Sequence, residues 1–265
     1  MFSRGMDTTE LTSQLLNFGI LHPLEFLGLI LVSLGTSFIT ASLGIGGGTI
    51  LLAVMANVMP INALIPVHGV VQLGSNFGRA ALMIKHADFT NIIWFTIGSF
   101  LGAIIGGRIV ITLPSQYLQL ILGAFILYWM FKPKPLAQSL SRTKTISLGL
   151  VSTLLTMFVG ATGPFVLSKL KNNIPDPISL VATFSSLMVV QHGLKVIIFG
   201  FLGFAFHDYL SLIVCMVAAG FIGTVLGKKV LLKVNPEVFH RGLKIVLCIL
   251  ALRLIYLGVI TLITS

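Results

Sequence analysis

Two sets of polar residues, each at helical spacing inside an apolar run, hold the side chains that could do chemistry in this chain. The first is His68, Gln72, Ser75, Asn76 and Arg79. Spacings of four, three, one and three put these on one helix face. The second is Ser185, Met188, Gln191, His192 and Lys195, with Thr183 one turn earlier. A polar stripe is costly against lipid, so each face is expected to turn toward the interior of a helix bundle. Interhelical hydrogen bonds would also explain such faces, at about 1 kcal/mol each. Their recurrence in both halves of the chain favours a ligand.

The sign of the charge says which ligand. The seven acidic residues, Asp7, Glu10, Glu25, Asp88, Asp176, Asp208 and Glu237, all lie at or near the ends of apolar segments. Arg79, Lys195 and Arg253 lie inside such segments, with no acid deep enough to pair with them. A buried cation without a counter-charge is costly, and an anionic substrate would supply the missing charge. Snorkelling to the interface would relieve Arg79 and Lys195. Arg253 sits nearer the centre of its segment and is a lesser candidate, since backbone carbonyls could satisfy it. His68 and His192 would serve as proton carriers if transport is proton-coupled; plain hydrogen bonding explains them otherwise.

The backbone offers a second kind of anion ligand. Gly44-Ile45-Gly46-Gly47-Gly48-Thr49 interrupts the apolar sequence. Each glycine costs roughly 1 kcal/mol against alanine inside a helix. Irregular backbone at membrane depth is tolerated only where protein or a watery cavity borders it. Gly46, Gly47, Gly48 and Thr49 would open a short helix whose first N–H groups attract oxyanions. Thr162 and Gly163, before Pro164, would open another, and the hydroxyls of Thr49 and Thr162 would add donors. The competing reading is close helix packing through small residues.

These residues need a scaffold, and composition names it. Of 265 residues 56% are hydrophobic and 9% charged, with a mean hydropathy of +1.04. A soluble domain carries about 25% charged residues. The fold class is therefore an all-α polytopic membrane protein. Residues 1–22 show no cleavable signal peptide. The net charge of +10 fits basic loops on the cytoplasmic side. No basic cluster interleaved with aromatics suggests nucleic acid. Cys215 and Cys248 lie in apolar segments without metal-ligand spacing, so neither a disulfide framework nor a metal site is expected.

Apolar segments run over 24–43, 48–59, 62–84, 91–112, 117–131, 145–160, 163–170, 177–204, 208–231 and 239–262. The expected division is an N-terminal arm (1–22), a first membrane repeat (23–131), a basic cytoplasmic linker (132–144) and a second membrane repeat (145–265). Shifted by 115 positions, Pro60 falls on Pro175, Asn76 on Gln191 and Gly78 on Gly193. Glycine stripes recur near the end of each half: Gly98, Gly102 and Gly106, then Gly223 and Gly227. If each short segment returns as a helical hairpin, nearly all loop Lys and Arg fall on one side, as the positive-inside rule prefers. That gives two inverted repeats, each a broken or hairpin segment plus three spanning helices. About eight transmembrane segments and eight to ten helices are expected, with the site at the repeat interface.

The Gly44–Gly48 motif after a first apolar segment, the duplicated halves and the small-residue stripe before a short basic turn resemble the TauE/SafE sulfite exporter family over residues 24–262. The resemblance implies a multi-pass carrier of a bacterial inner membrane with about eight helices. It also implies export or uptake of sulfur-containing anions such as sulfite or organosulfonates. The second glycine motif departs from the pattern, being reduced to Gly160-Ala161-Thr162-Gly163-Pro164.

The expected function is a secondary transporter of such an anion, working by alternating access. No P-loop, His-Glu-x-x-His or Gly-x-Ser-x-Gly motif is present, so neither ATP hydrolysis nor enzyme chemistry is expected. An anion channel, or a membrane-embedded enzyme using His68 and His192, is the alternative. No cofactor is expected. The expected partners are the anion, the bilayer and a proton or sodium ion for coupling; a homodimer is compatible.

Overall fold

The computed structural model describes residues 21–43, 46–110, 112–131, 140–229 and 236–264. The expected arm through residue 20, Gly44 and Ile45 of the glycine stretch, and residues 132–139 of the linker lie outside the described residues. Among the described residues the chain forms ten α-helices and two short 3-10 turns, Ile84–His86 and Phe206–Tyr209. The first half holds α1 (Pro23–Leu43), α2 (Gly47–Val58), α3 (Ile61–Met83), α4 (Phe89–Val110) and α5 (Ser115–Phe131). The second holds α6 (Arg142–Val159), α7 (Gly163–Leu170), α8 (Pro177–Phe201), α9 (Leu210–Lys229) and α10 (Pro236–Thr264). Arg142, Thr143 and Lys144, assigned from sequence to the linker, form the first turn of α6.

Five helical stretches are long and apolar enough to cross a membrane: α1, α4, α8, α9 with its preceding turn, and α10. The protein is a multi-pass membrane protein. The expectation of about eight spans is met only in part, for a physical reason. Helices α2 and α5 are apolar but short. Helix α3 has 23 residues, yet its apolar character is diluted by the polar face that begins at His68. Large side chains such as Ile97, Phe100, Val214 and Leu252 point outward, as lipid contact requires.

Backbone chemistry sets the breaks. Gly46 precedes α2 with φ 102°, and Gly160 ends α6 with φ 79°, both in a region that favours glycine. The Gly160 N–H still closes the last turn of α6 on Thr156 O. Helix α8 starts where Asp176 accepts the Ser179 N–H at 2.8 Å and Pro177 takes the first helical position.

The halves interlock. Helix α4 lies along α6, and α9 lies along α1, while α3 crosses α8 and α5 packs on α10. Glycines make the first two contacts close enough to be exclusive. A Cβ at Gly98 would meet Ile146 O, and one at Gly149 would meet Phe95 O. In the other pair a Cβ at Gly223 would meet Leu34 O, and one at Gly227 would meet Phe38 O. The stripes seen in the sequence are packing surfaces.

At the α3–α8 crossing the dipeptides His68-Gly69 and His192-Gly193 meet. The histidine rings stand edge to face, 6.1 Å between centroids. A Cβ at Gly69 would touch the Lys195 side chain, and one at Gly193 the Leu73 side chain. The two pairs are 124 positions apart. The shift of 115 read from the sequence instead puts Gly78 opposite Gly193, but Gly78 faces Phe221 of α9. Helices α2 and α7 begin 116 positions apart, and so do α3 and α8, so one shift relates the two halves; the histidines meet at 124 because α3 and α8 cross there and do not pair position by position.

Candidate functional site

A cavity of about 50 Å³ opens where the first turns of α2 and α7 approach the α3–α8 crossing. Gly46, Gly48 and Thr49 form one wall; Ala161, Gly163, Pro164 and Leu167 form another. His68, Gln72, Asn76 and Arg79 come from α3, Phe184, Met188 and His192 from α8, and Thr40 from α1. A water needs about 10–15 Å³ of such space, so the cavity takes a few water-sized groups, the size of one small oxyanion.

Helix α3 delivers most of the polar wall. His68 is fully buried, and its Nε2–H donates to Gly48 O at 3.0 Å, which holds the start of α2 against α3. Its Nδ1 has no partner. Asn76 Nδ2 donates to Gln72 O at 2.8 Å, and Asn76 Oδ1 accepts from Arg79 Nη2 at 2.9 Å. Arg79 is 8% exposed, and its Nε is buried without a partner. Its guanidinium therefore keeps a free donor beside the cavity. Among the described residues no carboxylate pairs with it, the ion pair found being His207 with Asp208 in the α8–α9 loop. Ser75 turns away from this wall, toward a small recess against Phe221 and Thr224 of α9.

The short helices contribute backbone. Among the described residues the Gly47 and Gly48 N–H groups have no backbone acceptor, while the Thr49 N–H donates to Gly46 O at 3.1 Å, and the Cβ that Gly48 lacks would stand 3.0 Å from Gln72 Oε1. Thr49 Oγ1 is buried and unpartnered at the same wall. Gly47 does not line the cavity. Its missing Cβ would collide with Thr36 O and Thr40 Oγ1, so it serves the α1–α2 contact. Thr40, one turn before the glycine stretch, was missed in the sequence, where a single hydroxyl in an apolar run carries no distinct signal.

In the second half the polar face divides. His192 lines the cavity. Gln191 does not: its Nε2 donates to Ser152 Oγ at 3.1 Å and Thr153 Oγ1 at 3.3 Å, and its Oε1 accepts from Thr162 Oγ1 at 3.0 Å. Lys195 is fully buried, and its Nζ donates to Gly160 O at 2.7 Å. Gln191, Lys195 and Thr162 thus fasten α8 to the break between α6 and α7 behind the cavity. A one-residue difference along a helix is about 100° of rotation, which separates Gln191 from His192. Thr183 accepts the Asp88 N–H at 2.9 Å and holds the α3–α4 loop. Arg253 lies apart from the site, where its Nη1 donates to Asn57 Oδ1 at 2.6 Å and Asn57 O at 3.1 Å, at the far end of α2. No cluster of metal-ligating residues occurs among the described residues.

The arrangement can hold an anion: a guanidinium with a free donor, the start of α2 and a hydroxyl converge, and among the described residues no carboxylate lines the cavity. A family model described as sulfite exporter TauE/SafE matches residues 29–254. The chain belongs to the TauE/SafE family. This is a family of membrane transporters, and membership fits both the apolar spans and the absence of enzyme motifs. Neither a curated protein nor a solved structure matches the chain.

Proposed function

We propose that this TauE/SafE protein is a secondary carrier of small sulfur-containing anions, such as sulfite or an organosulfonate. It binds them in the cavity between the first turns of α2 and α7 and exposes that cavity alternately to the two sides of the membrane. The observation that carries this reading is Arg79, buried beside the cavity with an unused donor and, among the described residues, no acid to neutralise it. Helix N-termini add to the same field. In this reading Gly46, Gly48, Thr49, His68, Gln72, Asn76, Arg79, Gly163 and His192 contact the anion. Gly47, Thr162, Gln191 and Lys195 shape the walls from behind. The cavity accommodates one oxyanion group, so a larger organosulfonate would extend its tail toward the opening. The two halves act as inverted repeats, consistent with the reciprocal packing of α4 on α6 and α9 on α1.

Counterflow in proteoliposomes tests the carrier reading. Trans-loaded sulfite should accelerate entry of labelled sulfite, since exchange requires a site that alternates. Arg79→Gln should reduce sulfite affinity by about tenfold or more, the scale of a hydrogen bond to a charged group. Uptake with no trans-stimulation would indicate a channel instead. Wild-type affinity in well-folded Arg79→Gln protein would remove the anion role from this cavity.

A further inference from the structure

His192 is 4% exposed and lies within α8; its Nδ1 is buried without a partner, and the ring makes no hydrogen bond among the described residues. Buried polar groups without partners are few, and each calls for an explanation. The same ring borders the cavity on one side and meets the His68 ring on the other. The groups around it are all basic or neutral. From α3 it meets His68, with Arg79 on the wall of the same cavity, and Lys195 lies one turn further along its own helix. Helices α2 and α7 bring glycines, Thr49, Pro164 and Leu167 to the cavity. Helices α4 and α6, packed on α8, carry Arg108, Arg142 and Lys144 only at exposed positions near their ends. The 3-10 turn Ile84–His86, also packed on α8, carries Lys85 and His86 at exposed positions, and among the described residues no carboxylate faces the ring.

His68 and Lys195 are already engaged. The His68 Nε2–H donates to Gly48 O, and the Lys195 ammonium to Gly160 O, one at each helix break. An ammonium Lys195 has no lone pair left for a proton, and a proton added to the free Nδ1 of His68 would charge the ring that holds the start of α2. His192 has no such duty.

We propose that His192 is the proton-binding group of the carrier, and that a proton and an anion occupy the site together. The step is a simple one. A water-borne proton enters through the cavity and adds to the unprotonated ring nitrogen of neutral His192. No bond other than that N–H forms, and the imidazolium faces the anion. Because no acid offsets the new charge, it attracts the anion, and by linkage the anion raises the proton affinity of the ring equally. The two then move in the same direction, as cosubstrates. This inference rests on the anion reading above and extends it to the coupling ion.

The test is proton uptake on anion binding to the purified full chain. Titration calorimetry is run with thiosulfate, sulfate and methanesulfonate, each of which keeps one charge state from about pH 5 to about pH 8, the range in which histidine ordinarily titrates. Sulfite titrates itself there and would confuse the count. Repeating each titration in buffers of different ionisation enthalpy gives protons taken up per bound anion. The expected result is uptake of up to about one proton per anion, with affinity rising roughly tenfold or more toward low pH. In H192Q the uptake per bound anion should vanish, whereas H68Q should retain it.

Binding without uptake, at an affinity independent of pH, would overturn the proton proposal and leave the anion reading standing. Uptake that survives in H192Q and disappears in H68Q would move the proton to His68 and overturn the assignment. Failure of all three anions and of sulfite to bind would overturn the anion reading and this proposal with it. If H192Q does not fold, the wild-type count alone decides whether a proton binds with the anion.

Discussion

At the scale of single residues, adjacent glycines have separate tasks. Gly47 is closed in by Thr36 and Thr40, whereas Gly48 faces Gln72 Oε1 across the cavity wall. A bulky residue at 47 therefore attacks the fold and says little about the anion. Gly48→Ala is the cleaner probe. It adds one methyl against the movable end of Gln72 and narrows a cavity of about 50 Å³. We expect near-normal folded yield, as judged by size-exclusion profile, with anion affinity weakened several-fold in calorimetry. Unchanged affinity would place the anion elsewhere. Much of the site could be read from the sequence because polar side chains inside apolar runs are costly and so stand out: His68, Gln72, Asn76, Arg79 and His192 all reach the cavity. What spacing could not separate was facing the cavity from facing the neighbouring helix. Gln191 and Lys195 bind backbone and hydroxyls behind it, and the partner of Arg253, Asn57, lies 196 positions away.

Helices and their ends are the next scale. The Gly98 and Gly149 contacts bring α4 and α6 backbones together without intervening side chains. Gly98→Val should cost several kcal/mol, beyond the usual 1–3 kcal/mol of overpacking, because the clash is with backbone that cannot turn aside. The check is a lower melting temperature and folded yield, seen even without anion. The start of α8 makes a pH prediction. The Ser179 side chain, and then its backbone N–H, hold the exposed Asp176 carboxyl below its ordinary 3.8. For a depressed carboxyl the stabilisation is fully present above the unfolded value and is lost as pH falls through the folded one. Asp176→Ala should therefore melt earlier than wild type at neutral pH, and the gap should close as pH drops below 3.8. A gap that stays constant on acidification would remove the cap from the account. The breaks at Gly46 and Gly160 were legible because consecutive glycines and a Gly-Pro pair stop helices. The register of the crossing was not, since a shift gives the equivalent positions of the two halves and not which of them touch.

For the whole molecule, composition alone was enough to read a membrane-spanning helical bundle, as the 9% of charged residues cannot cover a soluble surface. Inverted repeats make a sidedness prediction. In a background without Cys215 and Cys248, cysteines at His86 and Ser141 should label from one side of the membrane. Cysteines at Thr112 and His207 should label from the other. An impermeant maleimide on right-side-out and inverted vesicles reads both, and reaction at 207 from the same side as 86 and 141 would refute the inverted arrangement.

The interlocked packing also has a consequence for how the chain is made. Helix α4 finds its partner surface only when α6 follows it out of the ribosome, and α1 waits until α9 has been synthesised. Until then the glycine-lined face of α4 and the face of α1 that α9 covers have no partner, although α1 already has α2 beside it. Assembly of this protein must be a post-insertional event, in which the bilayer stores independently stable spans until their partners arrive.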